Sequence, residues 1–339
     1  MFSFKRADAD RPRRSPSELV GLDLGASGVK AVRMRRNKDG VTVLKADILP
    51  PLAPEEVDPK AARPPLPRGL LTNYAALAVS GARASVRILG IPGRFETGPA
   101  RDLQVQEHAG AGEGQRLGYA VITPPKLRNE TRLLVVTLPE AEAEALLNLF
   151  SVGAPAPFSL EVSGLAAITA FLRGPGRAHE QGTVGVVESG ERQTTMAVLH
   201  KNLPVLVRKF DLGMHTVRER VQQRLGVDPE TAKGILADGS FDISQTLHEV
   251  VDPFLRQLSL SKEFIERREE CQVEKLYVSG GMSLSRFWIS DMKQASGLDV
   301  ERWNPFDGLH ASPDALPAAL AGQETRFTAA IGACVGAWE

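Results

Sequence analysis

The sequence predicts an α/β protein of two similar halves, with a small α+β module inserted into the first. Three observations carry that expectation. Val20-Gly21-Leu22-Asp23-Leu24-Gly25-Ala26-Ser27-Gly28-Val29-Lys30-Ala31-Val32 reads as a strand, a turn of small residues and a second strand, with Leu22 and Leu24 flanking a single acid. Thr183 to Glu191 repeats the theme, so that Asp23-Leu24-Gly25 and Glu188-Ser189-Gly190 both place acid, residue, glycine at a strand end. Further strand patterns follow each, and two such meanders must each be buried under helices. Third, Val273–Ser279 reads as a strand that passes through Gly280-Gly281 into a helix.

Composition narrows the class. A chain of 339 residues is long enough for two ordinary domains, and its 41 basic side chains are matched by 41 acidic ones. No global field therefore favours nucleic acid or an anionic membrane. No apolar run is long enough for a bilayer span, and the N-terminus has no apolar segment of the secretory kind. Cys271 and Cys334 have neither metal nor redox spacing, and the six histidines form no paired motif, which argues against a zinc enzyme. The expectation is a soluble, cytoplasmic protein.

In chain order, residues 1–18 carry Lys5, Arg6, Arg11, Arg13 and Arg14 and read as a disordered basic leader. The first domain is expected over 19–172. It begins with three strands, the last from Val41 to Leu49 after an Asn37-Lys38-Asp39-Gly40 turn. Residues 50–68 hold seven prolines, too many for a helix interior, and read as an extended linker. Tyr74–Ser80 is a buried strand. The module, about 82–157, offers strands at 84–92, 117–123 and 131–138, a polar helix within 97–116, and a helix opened by Pro139. Phe158–Val162 is a strand, with Ser163 as the expected cap of a helix to Leu172. The second domain, 173–339, adds strands to Phe210, helices at 214–225, 229–237 and 246–270, and the Gly280-Gly281 junction with Ser283 opening the next helix. A small-residue helix closes the chain over 325–338.

The chemistry sits at the strand tips. Glycine and serine there expose backbone N–H groups and a hydroxyl that suit phosphate oxygens, and Asp23 suits a hydrated magnesium. Lys30 lies on the return strand, on a face that reaches back toward the turn. A strand–Gly-Gly–helix junction likewise offers N–H groups to an anion. Taken alone, an ordinary glycine-rich hairpin and a tight packing turn have the same letters.

Together, two acid-x-Gly strand ends and one Gly-Gly junction resemble the actin-like ATPase fold, two RNase H-like domains around a nucleotide cleft. Within it, residues 19–337 resemble the PilM family of type IV pilus assembly. Gly21 to Val32 follows that family's first phosphate motif, and Lys275 to Gly281, Asn304-Pro305-Phe306 and Ala330-Ile331-Gly332 follow its closing region. The inserted module matches the extra subdomain of the FtsA/PilM type. The resemblance implies ATP and Mg²⁺ as ligands. Asp23, Gly25, Ala26, Ser27 and Lys30 would face the phosphates, Glu188 and Gly190 would form the second loop, and Asp23 and Glu188 would hold the metal. Gly213 matches a glycine preceding a helical Thr, here Thr216. Glu230 and Lys233 would lie near ribose and adenine, where an exposed ion pair one helical turn apart gives the same letters. Gly280, Gly281 and Met282 would touch the base and its sugar.

The function so implied is a cytoplasmic ATP-binding scaffold of a type IV pilus or related secretion machine. It would bind the cytoplasmic N-terminal tail of a PilN-like inner-membrane protein, reach the membrane only through such partners, and bind no nucleic acid. Self-association into a homo-oligomer stays open. Glu188 stands where the family usually has the shorter Asp, and no residue stands out as a base for water attack, so any ATPase activity would be slow. The alternatives are a small-molecule kinase of the same superfamily and an FtsA-like filament-forming membrane adaptor.

Overall fold

The chain passes through β1 (Phe4–Lys5), β2 (Glu18–Gly25), β3 (Gly28–Asn37), β4 (Gly40–Leu49), β5 (Tyr74–Val79), β6 (Ser85–Pro92), α1 (Pro99–Ala109), β7 (Gln115–Thr123), β8 (Glu130–Pro139), α2 (Glu140–Asn148), β9 (Ala156–Val162) and α3 (Ser163–Arg173). It continues with β10 (Thr183–Ser189), β11 (Thr194–His200), β12 (Leu203–Phe210), α4 (Met214–Leu225), α5 (Pro229–Asp238), α6 (Ser244–Arg268), β13 (Lys275–Ser279), α7 (Arg286–Ser296), β14 (Asp299–Arg302), β15 (His310–Ala311) and α8 (Thr328–Ala337). This computed structural model describes residues 4–5, 15–51, 66–93, 95–96, 99–123, 130–150, 153–238 and 243–339.

The repeat read from the sequence is a repeat of topology. One sheet has the order β1-β9-β5-β2-β3-β4-β15 and the other β12-β11-β10-β13-β14. In each, an antiparallel meander (β2-β3-β4, β10-β11-β12) is extended by two parallel strands (β5 and β9, β13 and β14). The register makes the equivalence residue by residue. Asp23 pairs with Lys30 and Ala78, and Glu188 pairs with Thr195 and Ser279. The two acids are thus the same position of a duplicated sheet.

Strand periodicity decides what lies on either side of the second sheet. Along β11, Ala197 and Leu199 face a core shared with the first sheet, while Met196 and Val198 face a second core. That second core is closed by α6, whose Leu247, Val251, Phe254, Leu255, Leu258 and Ile265 recur at helical spacing and are buried. Between the sheets lie α3 and α8, packed along one another and against β2, β5 and β11. The approach is backbone to backbone, since a Cβ on Gly332 of α8 would sit 1.8 Å from the Ala166 carbonyl oxygen. The small-residue run Ala329, Ala330, Gly332, Ala333 therefore sets the distance between the halves.

The module forms its own sheet, β6-β8-β7, with a small core of Ile91, Val105, Ala109, Leu133 and Val135. Lys209 of β12 ties it to the second half by donating to the carbonyl oxygens of Gly81 and, at 3.2 Å, Ala84. No described helix is long and apolar enough to cross a membrane.

Several local expectations need correction. Most of the leader and much of the proline-rich linker (residues 52–65) lie outside the described residues. Phe4–Lys5 of that leader is not free, because it pairs antiparallel with β9, and Glu18 already opens β2. Ser163 does not cap α3 but is its first residue, with its hydroxyl turned elsewhere. Ser283 does not open α7; it sits in a 3-10 turn, Gly281–Leu284, where its hydroxyl donates to the Gly280 carbonyl at 2.7 Å. Likewise the last helix starts at Thr328, after a 3-10 turn over Glu324–Phe327.

Gly332→Ala is expected to lower stability by about 1–3 kcal/mol, as overpacking does where backbones touch. Gly234→Ala, in α5 with open space around its Cα, is expected to raise it by about 0.5–1 kcal/mol through helix propensity. Urea unfolding of both variants checks the opposite signs.

Candidate functional site: a cleft between the two sheets

The strand tips converge on a cleft of about 210 Å³. Its walls include Asp23, Gly25, Ala26, Ser27 and Lys30 from the first hairpin, and Glu188, Gly190, Glu191, Arg192 and Gln193 from the second. Gly280, Gly281 and Leu284 come from the junction after β13, and Ser80, Ser163, Gly164, Thr195, Met214 and Arg326 complete it. This volume lies below the roughly 300–1,000 Å³ of pockets that enclose a drug-sized ligand.

Asp23 and Lys30 face each other across β2 and β3 and are both nearly buried. The Lys30 ammonium donates to Ser27 Oγ at 3.1 Å and stands 3.9 Å from Asp23 Oδ2. The other Asp23 oxygen, Oδ1, accepts a hydrogen bond from Ser163 Oγ at 2.7 Å. The first carboxylate is thus held by a cation and a hydroxyl, each from a different element.

Glu188 is held differently. Burial first, and then the negative charge of Asp23, push its carboxyl up to about 8 against the opposing pull of Lys30. Its protonated form is therefore favoured at neutral pH. Gly280 makes room for it. A Cβ there would come 2.3 Å from the Ser189 carbonyl oxygen and 2.8 Å from Glu188 Oε1, and the backbone has φ +84°. Only glycine accepts both demands.

The second loop uses its own backbone. Gly190 N–H donates to the Gln193 carbonyl at 2.9 Å, while Met214 and His215 N–H donate to the Gly190 and Glu191 carbonyls at 3.2 and 2.8 Å. The N-terminus of α4 is thereby closed by the loop rather than opened to an anion. What this loop presents to the cleft is side chains. Glu191 is paired with Arg218 at 2.6 Å, and Arg192 is exposed at the rim.

The expected residues divide cleanly. Asp23, Gly25, Ala26, Ser27, Lys30, Glu188, Gly190, Gly280 and Gly281 line one cleft. Gly213 stands behind it as the N-cap of α4, its backbone against the Glu191 carbonyl. Met282 is fully buried in the second core, beneath the floor. Glu230 and Lys233 are an exposed pair 3.5 Å apart on α5, outside the cleft walls. Sequence reading passed over Ser163, Glu191 and Arg326. Ser163 had been given to a helix cap, and nothing local marks the other two.

The donor set suits a hydrated magnesium. Among the described residues no cluster of three or more His, Cys, Asp or Glu converges on a point. Asp23 and Glu188 are nevertheless two acids close enough for one to raise the other. Magnesium is commonly held by one or two carboxylates with phosphates and water completing the shell.

A duplicated meander-plus-parallel sheet, with equivalent acids meeting in a central cleft, is the actin-like ATPase fold. Residues 158–336 match the family model described as type IV pilus assembly protein PilM, and the chain belongs to that family. The structure is similar to one titled "PilM-PilN type IV pilus biogenesis complex", with 19% identity, 97% of this chain and 100% of that chain covered, and a TM-score of 0.76. It is more distantly similar to the ethanolamine utilization protein EutJ from Carboxydothermus hydrogenoformans, at 16% identity, 94% and 90% coverage and a TM-score of 0.46. The archaeal actin homologue Ta0583 matches at 14% identity, 94% and 98% coverage and also 0.46.

The Glu188 carboxyl makes stability depend on pH. Its folded value lies above its unfolded one, so its contribution is complete below about pH 4.5 and is lost as pH rises toward about 8. Relative to Glu188→Gln, the wild type without nucleotide is expected to lose on the order of 3 kcal/mol across that window. Urea unfolding at a series of pH values reads the difference.

Proposed function

We propose that this chain is an ATP-binding scaffold of a type IV pilus or related secretion machine, seated on the cytoplasmic face of the inner membrane through a PilN-like protein. The observation that carries the nucleotide reading is the meeting of Asp23 and Glu188, the same position of two duplicated sheets, beside Lys30 in one cleft. On this reading 19–172 and 173–339 are the two lobes that the nucleotide draws together, and 82–157 is the module that helps to shape the partner groove. Ser27 and Lys30 meet the phosphates, and Asp23 and Glu188 hold the magnesium, which supplies charge neutralisation to the phosphate tail when bound. Family membership supports the pilus role, and the likeness to the chain of a PilM-PilN complex supports a PilN-like partner.

Nucleotide acts here mainly as a structural ligand, favouring the closed arrangement by binding it better than the open one. The acids of the cleft leave water without an obvious base. Asp23 is engaged by Ser163 and Lys30, Glu191 by Arg218, and Glu188, once ionised, would be committed to the metal. Slow turnover follows.

Calorimetry with Mg-ATP tests the cleft. Micromolar binding by the wild type, lost in Asp23→Ala and Gly281→Glu, is the expected result; no binding by the wild type overturns it. Glu188 must ionise to hold the metal, so binding at pH 7 is expected to release about one proton, and none in Glu188→Gln. Enthalpies in two buffers of different ionisation enthalpy measure that count. For the partner, a fluorescent peptide of the PilN-like protein's cytoplasmic tail is expected to gain anisotropy with the wild type, more tightly with Mg-ATP present. Equal affinity with and without nucleotide would sink the clamp.

A further inference from the structure

We propose that Arg326 is a phosphate-binding residue of the cleft, supplying from the 3-10 turn before α8 a half-buried cation where the second half of the duplicated sheet has only Thr195 opposite its acid. This inference rests on the cleft taking a nucleotide. The two halves are equivalent at Asp23 and Glu188, but the residue opposite the acid differs. It is Lys30 in the first half and Thr195 in the second. A polyphosphate entering between the sheets therefore meets a buried ammonium on one side and a hydroxyl on the other. A single lysine beside Asp23 is a small counter-charge for a tail of several negative charges.

Arg192 of the second loop is exposed at the rim, whereas Arg326 stands deeper in the wall. It lines the same cleft as Lys30, Glu188 and Gly280 and is half-buried. Burial pulls its guanidinium below its ordinary value, while Glu191 and Asp23 pull the other way, so both acids feel its charge. It remains charged throughout the working pH range.

Its placement is rigid. The 3-10 turn that carries it is pinned to the Gly-Gly junction by Gly280 N–H donating to the Thr325 carbonyl at 3.0 Å. Arg326 N–H donates to the Gln323 carbonyl at 3.0 Å, and Nη1 donates to Gln323 Oε1 at 2.7 Å. Phe327, next in the chain, is fully buried. One arm of the fork is fixed by Gln323, which orients the planar group, and a guanidinium so held pairs with phosphate oxygens through parallel N–H donors. Glu191 cannot neutralise it fully, because Arg218 already holds that carboxylate.

The test is binding of ATP, ADP, tripolyphosphate and adenosine to wild type, Arg326→Ala and Arg326→Lys, with the ligand-free melting temperature of each variant. Arg326→Ala is expected to weaken ATP, ADP and tripolyphosphate by about tenfold to a hundredfold, leaving adenosine and the ligand-free melting temperature unchanged. Arg326→Lys keeps the charge without the fork and is expected to fall between. Unchanged phosphate affinity overturns the proposal. So does an equal loss for adenosine and ATP with a lowered melting temperature, which would make Arg326 a brace of its 3-10 turn against the Gly-Gly junction. If the wild type binds none of the four, the nucleotide reading itself fails and this inference falls with it.

Discussion

Two acids at the same position of a duplicated sheet face a common cleft, and the burial of one, with the charge of the other beside it, governs the site. Asp23 is held by Lys30 and Ser163, whereas burial and the charge of Asp23 push the Glu188 carboxyl up against the pull of Lys30. The longer reach of glutamate matters less than its burial. Burial makes it a group that must lose a proton before it can bind a cation.

That meeting depends on packing far from the cleft. The two sheets approach only as closely as α3 and α8 allow, and these helices touch through Gly332 and Ala166 backbone. Ser163, the first residue of α3, links the same helix to Asp23. A change in the spacing of the halves is therefore felt directly at the first carboxylate. Ser80 extends the linkage to the module, since it lines the cleft and is followed by Gly81, whose carbonyl is gripped by Lys209. Cleft, interlobe helices and module are thus joined by contacts through Ser163, Ser80 and Lys209.

Duplication explains the symmetry of the site, and divergence its chemistry. The first half contributes an ammonium and exposed small residues at a hairpin tip. The second has closed its loop on itself, with the Gly190 N–H and the first N–H groups of α4 satisfied internally. It offers side chains of its loop to the cleft, Glu191 and Arg192 among them.

The sequence alone determined the repeated meander, the acid-x-Gly strand ends, the Gly-Gly junction and the inserted module, because strand periodicity and glycine turns are local properties of the chain. Those signals also carried the PilM resemblance that the family match bears out. Nine of the residues expected at the site do converge, since each belongs to such a local motif. Tertiary structure alone decided the rest. It joined Ser163 to Asp23 across 140 residues, brought Arg326 to the wall, turned Met282 into the core and left Glu230 and Lys233 in solvent. These outcomes depend on the spacing and rotation of one sheet against the other. No short stretch of sequence encodes them, because the burial and charge that set a side chain's role come from neighbours remote in the chain.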